Sequence, residues 1–241
     1  GLPSGNGVML LFSQATGELA SVLLDEGYLT DVRTAIAGAI AAKHLAPKRV
    51  ERIGIVGTGT QARLQLLHLA GVTACRNVLV WGRGEQQLAR YRAEMSEHGF
   101  RIETTLEPAN ILRRCDLVVT TTPATEPLLH ATHLHAGVHI TAVGADTPAK
   151  QELDAAILQR ADLVVADSIS QCLARGEIHH ALKRGCLVES ELVELGDVVA
   201  GNTPGRASDG QITVADLTGV AVQDIKIATA VYEHTLRMGA A

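Results

Sequence analysis

Aromatic side chains are nearly absent from this chain of 241 residues: it has two Phe, three Tyr and one Trp. A core must therefore be built from Ala, Val, Leu and Ile. That suits small-residue helices packed on a parallel sheet whose strands read as β-branched runs. Cysteine is scarce too. Cys75, Cys115, Cys172 and Cys186 are scattered, with no CxxC pair. Such spacing offers neither a metal-ligand set nor a disulfide framework, and it reads as reduced thiols in a cytoplasmic protein. The apolar runs are broken well short of the ~18 residues that a membrane span requires, and no signal-peptide pattern is visible. A basic block is also missing, and the net charge of −5 argues against a nucleic-acid partner. The ten histidines include His133 with His135 and the adjacent His179-His180. Neither pair has the i, i+4 spacing of a helical zinc pair, so no metal is expected.

What is present is globular: 46% hydrophobic and 20% charged residues, in a chain long enough for a sizeable core. It opens at Gly1 in a turn-rich segment that leads into the apolar residues 8–12, and we expect further sequence to precede it in the intact protein. Residues 8–12 and 19–24 read as a β-hairpin. Leu29 to Leu45 has helical spacing, with Thr30 or Asp31 as its N-cap and Pro47 as its stop. From Arg52 onward, short apolar strands at 53–56, 78–81, 117–120, 139–143 and 163–166 alternate with helical stretches. This order implies βαβ units and a doubly wound parallel sheet spanning about residues 47–201. After a loop near 201–206, a short strand is expected at 211–214 and one long amphipathic helix at 220–238.

Gly57-Thr58-Gly59-Thr60-Gln61-Ala62 matches G-x-G-x-x-A between a β-branched strand and a helix. The first glycine permits a tight turn, and the second lets backbone approach a pyrophosphate. The small third residue lets helix and strand pack closely. The helix start offers unpaired N–H groups to the phosphates. In this strand–turn–helix context the hexapeptide predicts a dinucleotide-binding Rossmann domain. The next strand ends in Gly82-Arg83, with no carboxylate where a ribose would be bound. Arg83 is placed for a 2′-phosphate, which favours NADP(H) over NAD(H). In the other reading Arg83 is a solvated surface residue and Glu85 takes the ribose.

Val143-Gly144-Ala145-Asp146-Thr147-Pro148-Ala149-Lys150-Gln151-Glu152-Leu153 resembles the signature of the ornithine cyclodeaminase/mu-crystallin family. Gly1-Leu2-Pro3-Ser4, Asp31-Val32-Arg33-Thr34-Ala35, Thr122-Pro123-Ala124-Thr125-Glu126-Pro127, Asp216-Leu217-Thr218-Gly219 and Val222-Gln223-Asp224 agree in order and spacing. The resemblance implies a homodimer of two-domain subunits with the active site in the cleft between the domains. It assigns residues 1–46 and 202–241 to a discontinuous substrate and dimerisation domain around a Rossmann domain at 47–201. Family members carry more N-terminal sequence before the Gly-Leu-Pro segment. That part supplies a basic residue for the substrate and much of the dimer interface, so the N-terminal part of that domain is expected to be incomplete here.

The family chemistry acts at the Cα–N bond of a small amino acid. In a cyclodeaminase a hydride leaves Cα, the side-chain amine attacks the resulting imine, ammonia departs and the hydride returns. Ketimine reductases and amino-acid dehydrogenases use part of this cycle. By resemblance Asp146 is the catalytic acid/base. Arg33 is the substrate-carboxylate clamp, a role its guanidinium fork suits. Lys150 lies near cofactor or substrate. Thr34, Thr122, Pro123, Ala124 and Thr218 are cofactor contacts beside Gly57, Gly59, Thr60, Gln61, Ala62, Arg83 and Val143. An aspartate at 146, which the mu-crystallin branch lacks, leans toward a cyclodeaminase or amino-acid dehydrogenase. The alternatives are a cyclic imine reductase and, from another class, a non-catalytic NADP(H)-binding protein.

Overall fold

The computed structural model describes residues 7–239; the Gly1-Leu2-Pro3-Ser4 segment lies outside them. The elements run β1 Met9–Phe12, β2 Leu19–Leu23, α1 Tyr28–Leu45, β3 Ile53–Val56, α2 Thr60–Leu69, β4 Asn77–Trp81, α3 Glu85–Glu97, β5 Arg101–Thr105, α4 Ala109–Arg114, β6 Leu117–Thr120, β7 His139–Ala142, α5 Ala155–Arg160, β8 Leu163–Ala166, α6 Ile169–Cys172, α7 Gly176–Lys183, β9 Leu192–Glu194, α8 Leu195–Ala200, β10 Thr213–Asp216 and α9 Ala221–Arg237.

Eight strands form one parallel sheet in the order β5-β4-β3-β6-β7-β10-β8-β9. The chain winds outward from β3 through β4 to β5, then returns to β6 on the other side of β3. That reversal between β3 and β6 is the topological switch point at which open α/β sheets bind ligands. β3, β6, β7 and β10 are buried at every residue, so they carry no polar alternation. Two apolar clusters cover the sheet. One gathers Ile111, Leu129, Ile157 and Ile178. The other gathers Leu45, Leu66, Leu69, Tyr91 and Met95. The scarcity of aromatics is thus met by branched aliphatic packing, with Tyr91, Phe100 and Trp81 buried among it.

β1 and β2 pair antiparallel, as the sequence predicts. Helix α1 packs on α2 and on α9, so the N-terminal helix rests on the glycine-turn helix. Gln65 at the centre of α2 is fully buried and donates its amide to the Thr34 carbonyl at 3.0 Å.

Two expectations are corrected. Helix α1 is capped neither by Thr30 nor by Asp31. It begins after Gly27, and the Asp25 carboxylate accepts from Leu29 N–H at 2.7 Å. Second, the sheet does not end before residue 202. Strand β10 lies between β7 and β8, in parallel register with both. Thr213-Val214-Ala215-Asp216 is a run buried at every residue, and a slot between two parallel strands is the place where such a run loses least. Only α9, beyond it, leaves the sheet. β5 and β9 lay unnoticed because Arg101-Ile102-Glu103-Thr104-Thr105 and Leu192-Val193-Glu194 are edge strands with polar residues.

Candidate active site

The turn after β3 carries the glycine motif at the switch point. Gly57 has φ +120°, in the region that favours glycine, and a Cβ there would come within 2.6 Å of Thr121 Oγ1. A Cβ built at Gly59 would meet nothing within 4 Å, so the space above the second glycine is open to a ligand. The turn is held from behind. The Arg63 guanidinium donates to the carbonyls of Thr58 and Gly59, with Gly59 O at 3.1 Å. Its Nε donates to Glu94, which lowers the Glu94 carboxyl below its usual range. Arg63 also lies 5.2 Å from the Tyr91 ring centroid, and Tyr91 OH donates to the Ala62 carbonyl at 2.9 Å. Ala62 is fully buried, which is what the third motif position demands. The first N–H groups of α2 have no intrahelical acceptor.

Two cavities flank the turn. The smaller, about 350 Å³, is lined by Gly57, Gly59, Arg83, Thr122, Pro123 and Ala124, among others. The larger, about 560 Å³, is lined by Asp31, Thr60, Gln61, Val143, Asp146 and Lys150, again among others. Gly59, Thr121, Thr122 and Pro123 border both, so together they form one crevice along the carboxyl edge of the sheet. This shape and the open space over Gly59 fit an extended dinucleotide laid across the switch point. The residues that would hold it are the glycine turn, Arg83 at one end, the Thr121–Ala124 turn along its length and Val143-Gly144 at the other end.

The structure brings together most residues singled out in the sequence. Asp146 and Lys150 follow β7, and Lys150 Nζ donates to Asp146 Oδ1 at 2.6 Å. Arg83 is exposed beside the smaller cavity. Three residues stand apart. Arg33 lines neither cavity. It faces a groove with Ile36, Ile40, Val222 and Ile227, and its guanidinium donates to Asp224 at 2.9 Å and Gln223 at 3.1 Å. Thr34 Oγ1 donates to the Thr30 carbonyl. Thr218 Oγ1 donates to Asp167, and both threonines lie outside the crevice walls.

Three further residues, quoted in the sequence within motifs but given no site role there, border or back the crevice. Asp31 borders the larger cavity and accepts from Gln61 Nε2 at 2.9 Å. Gly144 borders it as well, and a Cβ there would sit 2.2 Å from the Thr122 carbonyl. Glu152 is fully buried directly behind both turns. Local sequence carries no signal for it: Gln151, Glu152 and Leu153 are all buried in the structure, and a buried acid needs dedicated donors.

With this geometry in hand, relatives can be compared. Residues 1–239 match the ornithine cyclodeaminase/mu-crystallin family. The chain belongs to that family. It is 46% identical over 236 residues to an uncharacterized cyclodeaminase of Sinorhizobium fredii, covering 97% of this chain and 71% of that one. Among solved structures it superposes on an archaeal alanine dehydrogenase dimer with bound NAD at a TM-score of 0.93. That pair is 38% identical, covering 99% of this chain and 74% of the other. A Thermococcus litoralis Delta(1)-pyrroline-2-carboxylate reductase in complex with NADH and L-proline gives 0.90 at 29% identity, covering 96% and 72%.

Proposed function

We propose that this chain is an NAD(P)-dependent enzyme acting at the Cα–N bond of a small amino acid, with cyclodeamination as its first reading. The observation that carries this is the Asp146–Lys150 pair in the wall of a crevice that is continuous with the glycine turn. A binding protein needs no acid/base at that place. The bound dinucleotide supplies hydride acceptance at Cα and, in a cyclodeaminase, its return. The chain's own residues do the rest. Asp146 takes a proton from the substrate ammonium, leaving a free amine that can attack, and returns a proton to the amine that departs as ammonia. Lys150 fixes the direction of that carboxylate. The α2 N-terminus holds phosphate, and the Thr121–Ala124 turn closes the nicotinamide end.

Arg33 is the proposed carboxylate clamp. That role rests on the family resemblance, since its guanidinium pairs with Asp224 and Gln223 at the junction of α1 and α9, outside the crevice walls. Arg83, free of carboxylate neighbours in the sequence on either side until Glu85, favours NADP(H). We assign α9 and residues 1–46 to the substrate and dimerisation side. Exposed Leu10, Phe12, Leu19, Ile40, Val222 and Ile225 there suit a homodimer interface. A second reading, dehydrogenase or imine reductase, is favoured by the fold's likeness to the archaeal alanine dehydrogenase.

One assay separates these readings. The protein is given NADP⁺ or NAD⁺ with diamino acids and alanine, then NADPH or NADH with cyclic imines. Absorbance at 340 nm and released ammonia are followed together. Ammonia without net cofactor reduction is expected. Cofactor oxidation with imines alone would establish the reductase, and saturable cofactor binding without any turnover would overturn the enzyme reading.

A further inference from the structure

Behind the crevice lies a carboxylate that no part of the proposed chemistry uses. Glu152 is fully buried, and four donors converge on it. Its Oε1 accepts from Thr122 N–H at 2.6 Å and Thr122 Oγ1 at 2.7 Å. Its Oε2 accepts from Thr120 Oγ1 at 2.7 Å and Gly144 N–H at 2.9 Å. The two oxygens therefore bind two different turns. One is the turn after β6 that borders both cavities, and the other is the turn after β7 that leads to Asp146. Glu152 is itself fixed from below: its N–H donates to Glu177 Oε1 at 2.7 Å, and Leu153 N–H donates to Glu177 Oε2 at 3.1 Å. No side chain could replace the hydrogen at Gly144, where a Cβ would strike Thr122 O at 2.2 Å and Glu152 Oε2 at 2.5 Å. The turns touch backbone to backbone, with a single carboxylate bridging them.

We propose that Glu152 is a positioning residue for the nicotinamide end of the cofactor site, holding the Thr121–Ala124 turn and the Gly144–Asp146 turn in one register. This rests on the dinucleotide reading above. Burial raises the Glu152 carboxyl above its usual range, and its four donors oppose that shift. The bridge therefore draws its strength from a complete set of donors, and a group with one acceptor oxygen cannot replace it.

Glu152→Gln is the isosteric test. The carboxamide keeps one acceptor oxygen and turns its NH₂ toward a backbone N–H, so one of the two turns is released. The readout compares two ligands on purified protein by calorimetric titration: the intact dinucleotide and its adenine half, 2′,5′-ADP or 5′-ADP. The adenine half fits the smaller cavity with the glycine turn and Arg83, and reaches none of the Gly144–Asp146 turn, which lines only the larger one. The intact dinucleotide is expected to lose at least about tenfold in affinity, the scale of one charged hydrogen bond, while the half-ligand, which does not reach the Gly144–Asp146 turn, loses much less. Glu152→Asp, which keeps both oxygens on a shorter stem, should restore part of the loss. Equal weakening of both ligands would show a merely structural role and overturn the proposal, as would no weakening of either. A variant too unstable to titrate moves the comparison to Glu152→Asp, where the same split is required. Wild-type protein that binds neither ligand would instead remove the dinucleotide reading, and this inference with it.

Discussion

Lys150 Nζ donates to Asp146 Oδ1 across a single turn of chain, at 2.6 Å, on the wall of the larger cavity. The other carboxylate oxygen of Asp146 has no hydrogen-bond partner among the described residues, and the side chain is 54% exposed. A carboxylate with one oxygen fixed and one free is arranged to exchange a proton with a ligand. Asp146→Asn keeps the size and one acceptor but cannot take up a proton. Turnover should fall by roughly 10²–10⁴-fold, the usual worth of a general base. The dissociation constant of the cofactor should stay within about twofold on that basis. Stopped-assay rates and cofactor titration on the same preparation check this, and a near-normal rate would refute the role.

Arg33 presents two separable expectations. Its guanidinium ties α1 to Gln223 and Asp224 at the start of α9, and its side chain is mostly buried. Lysine cannot reproduce the fork. If Arg33 also grips the substrate carboxylate, Arg33→Lys raises the KM for the amino acid about tenfold or more, with kcat less affected, because a bidentate charged contact is lost. A fall in melting temperature with KM unchanged would leave Arg33 as a tie between helices. Steady-state kinetics beside a thermal melt distinguishes the two.

The core of the fold was legible because its strands are short and buried on both faces. Ile53–Val56 and Leu117–Thr120 announce themselves as β-branched runs, and the turn after Val56 carries chemistry that only glycine permits. The placement of β10 was not legible. Thr213–Asp216 follows a long loop, and local sequence cannot say that it enters a slot between two strands formed much earlier in the chain. Among site residues, those on the glycine turn were readable from spacing, while Asp146 and Lys150 after β7 were singled out through the family resemblance. Glu152 was quoted within a motif but not understood. Its role depends on donors 8 to 32 residues away, which only tertiary contact reveals.

A pH dependence of stability follows from the acids beneath the crevice. Burial raises the Asp216 carboxyl to about 8, with Asp167 and Glu152 adding repulsion, and Glu177 is pushed well above its usual range by burial and by Asp216. The unfolded chain releases the Asp216 proton near 3.8, while the folded chain keeps it until about 8. Between those values the folded state holds more protons, so stability falls as pH rises through the window. His139, lowered to about 3 by burial, acts oppositely, but only below pH ~6.5, its unfolded value. Melting temperatures from pH 6.5 to 8.5 therefore isolate the acids. Asp216→Asn keeps an oxygen for Ile178 N–H, now 2.8 Å from the carboxylate, and should flatten that decline. Parallel curves for variant and wild type would show that Asp216 is not the group titrating.

The proposed preference for NADP(H) rests on Arg83, just after β4 and exposed beside the glycine turn. A 2′-phosphate carries charge that a guanidinium meets with strong, paired hydrogen bonds, whereas the bare ribose hydroxyl of NAD(H) gains little from it. The first acid after the strand is Glu85, the opening residue of α3, and it lines neither cavity. Arg83→Ala should therefore raise the KM for NADPH by roughly ten- to a hundredfold, the range of one or two charge-assisted bonds, and leave that for NADH nearly unchanged. Glu85→Gln should change neither. If the wild type already prefers NADH, and Glu85→Gln weakens it, the ribose belongs to Glu85 and Arg83 is a solvated surface residue. The ratio of kcat/KM for the two cofactors, measured for wild type and both variants in one buffer, decides between these arrangements.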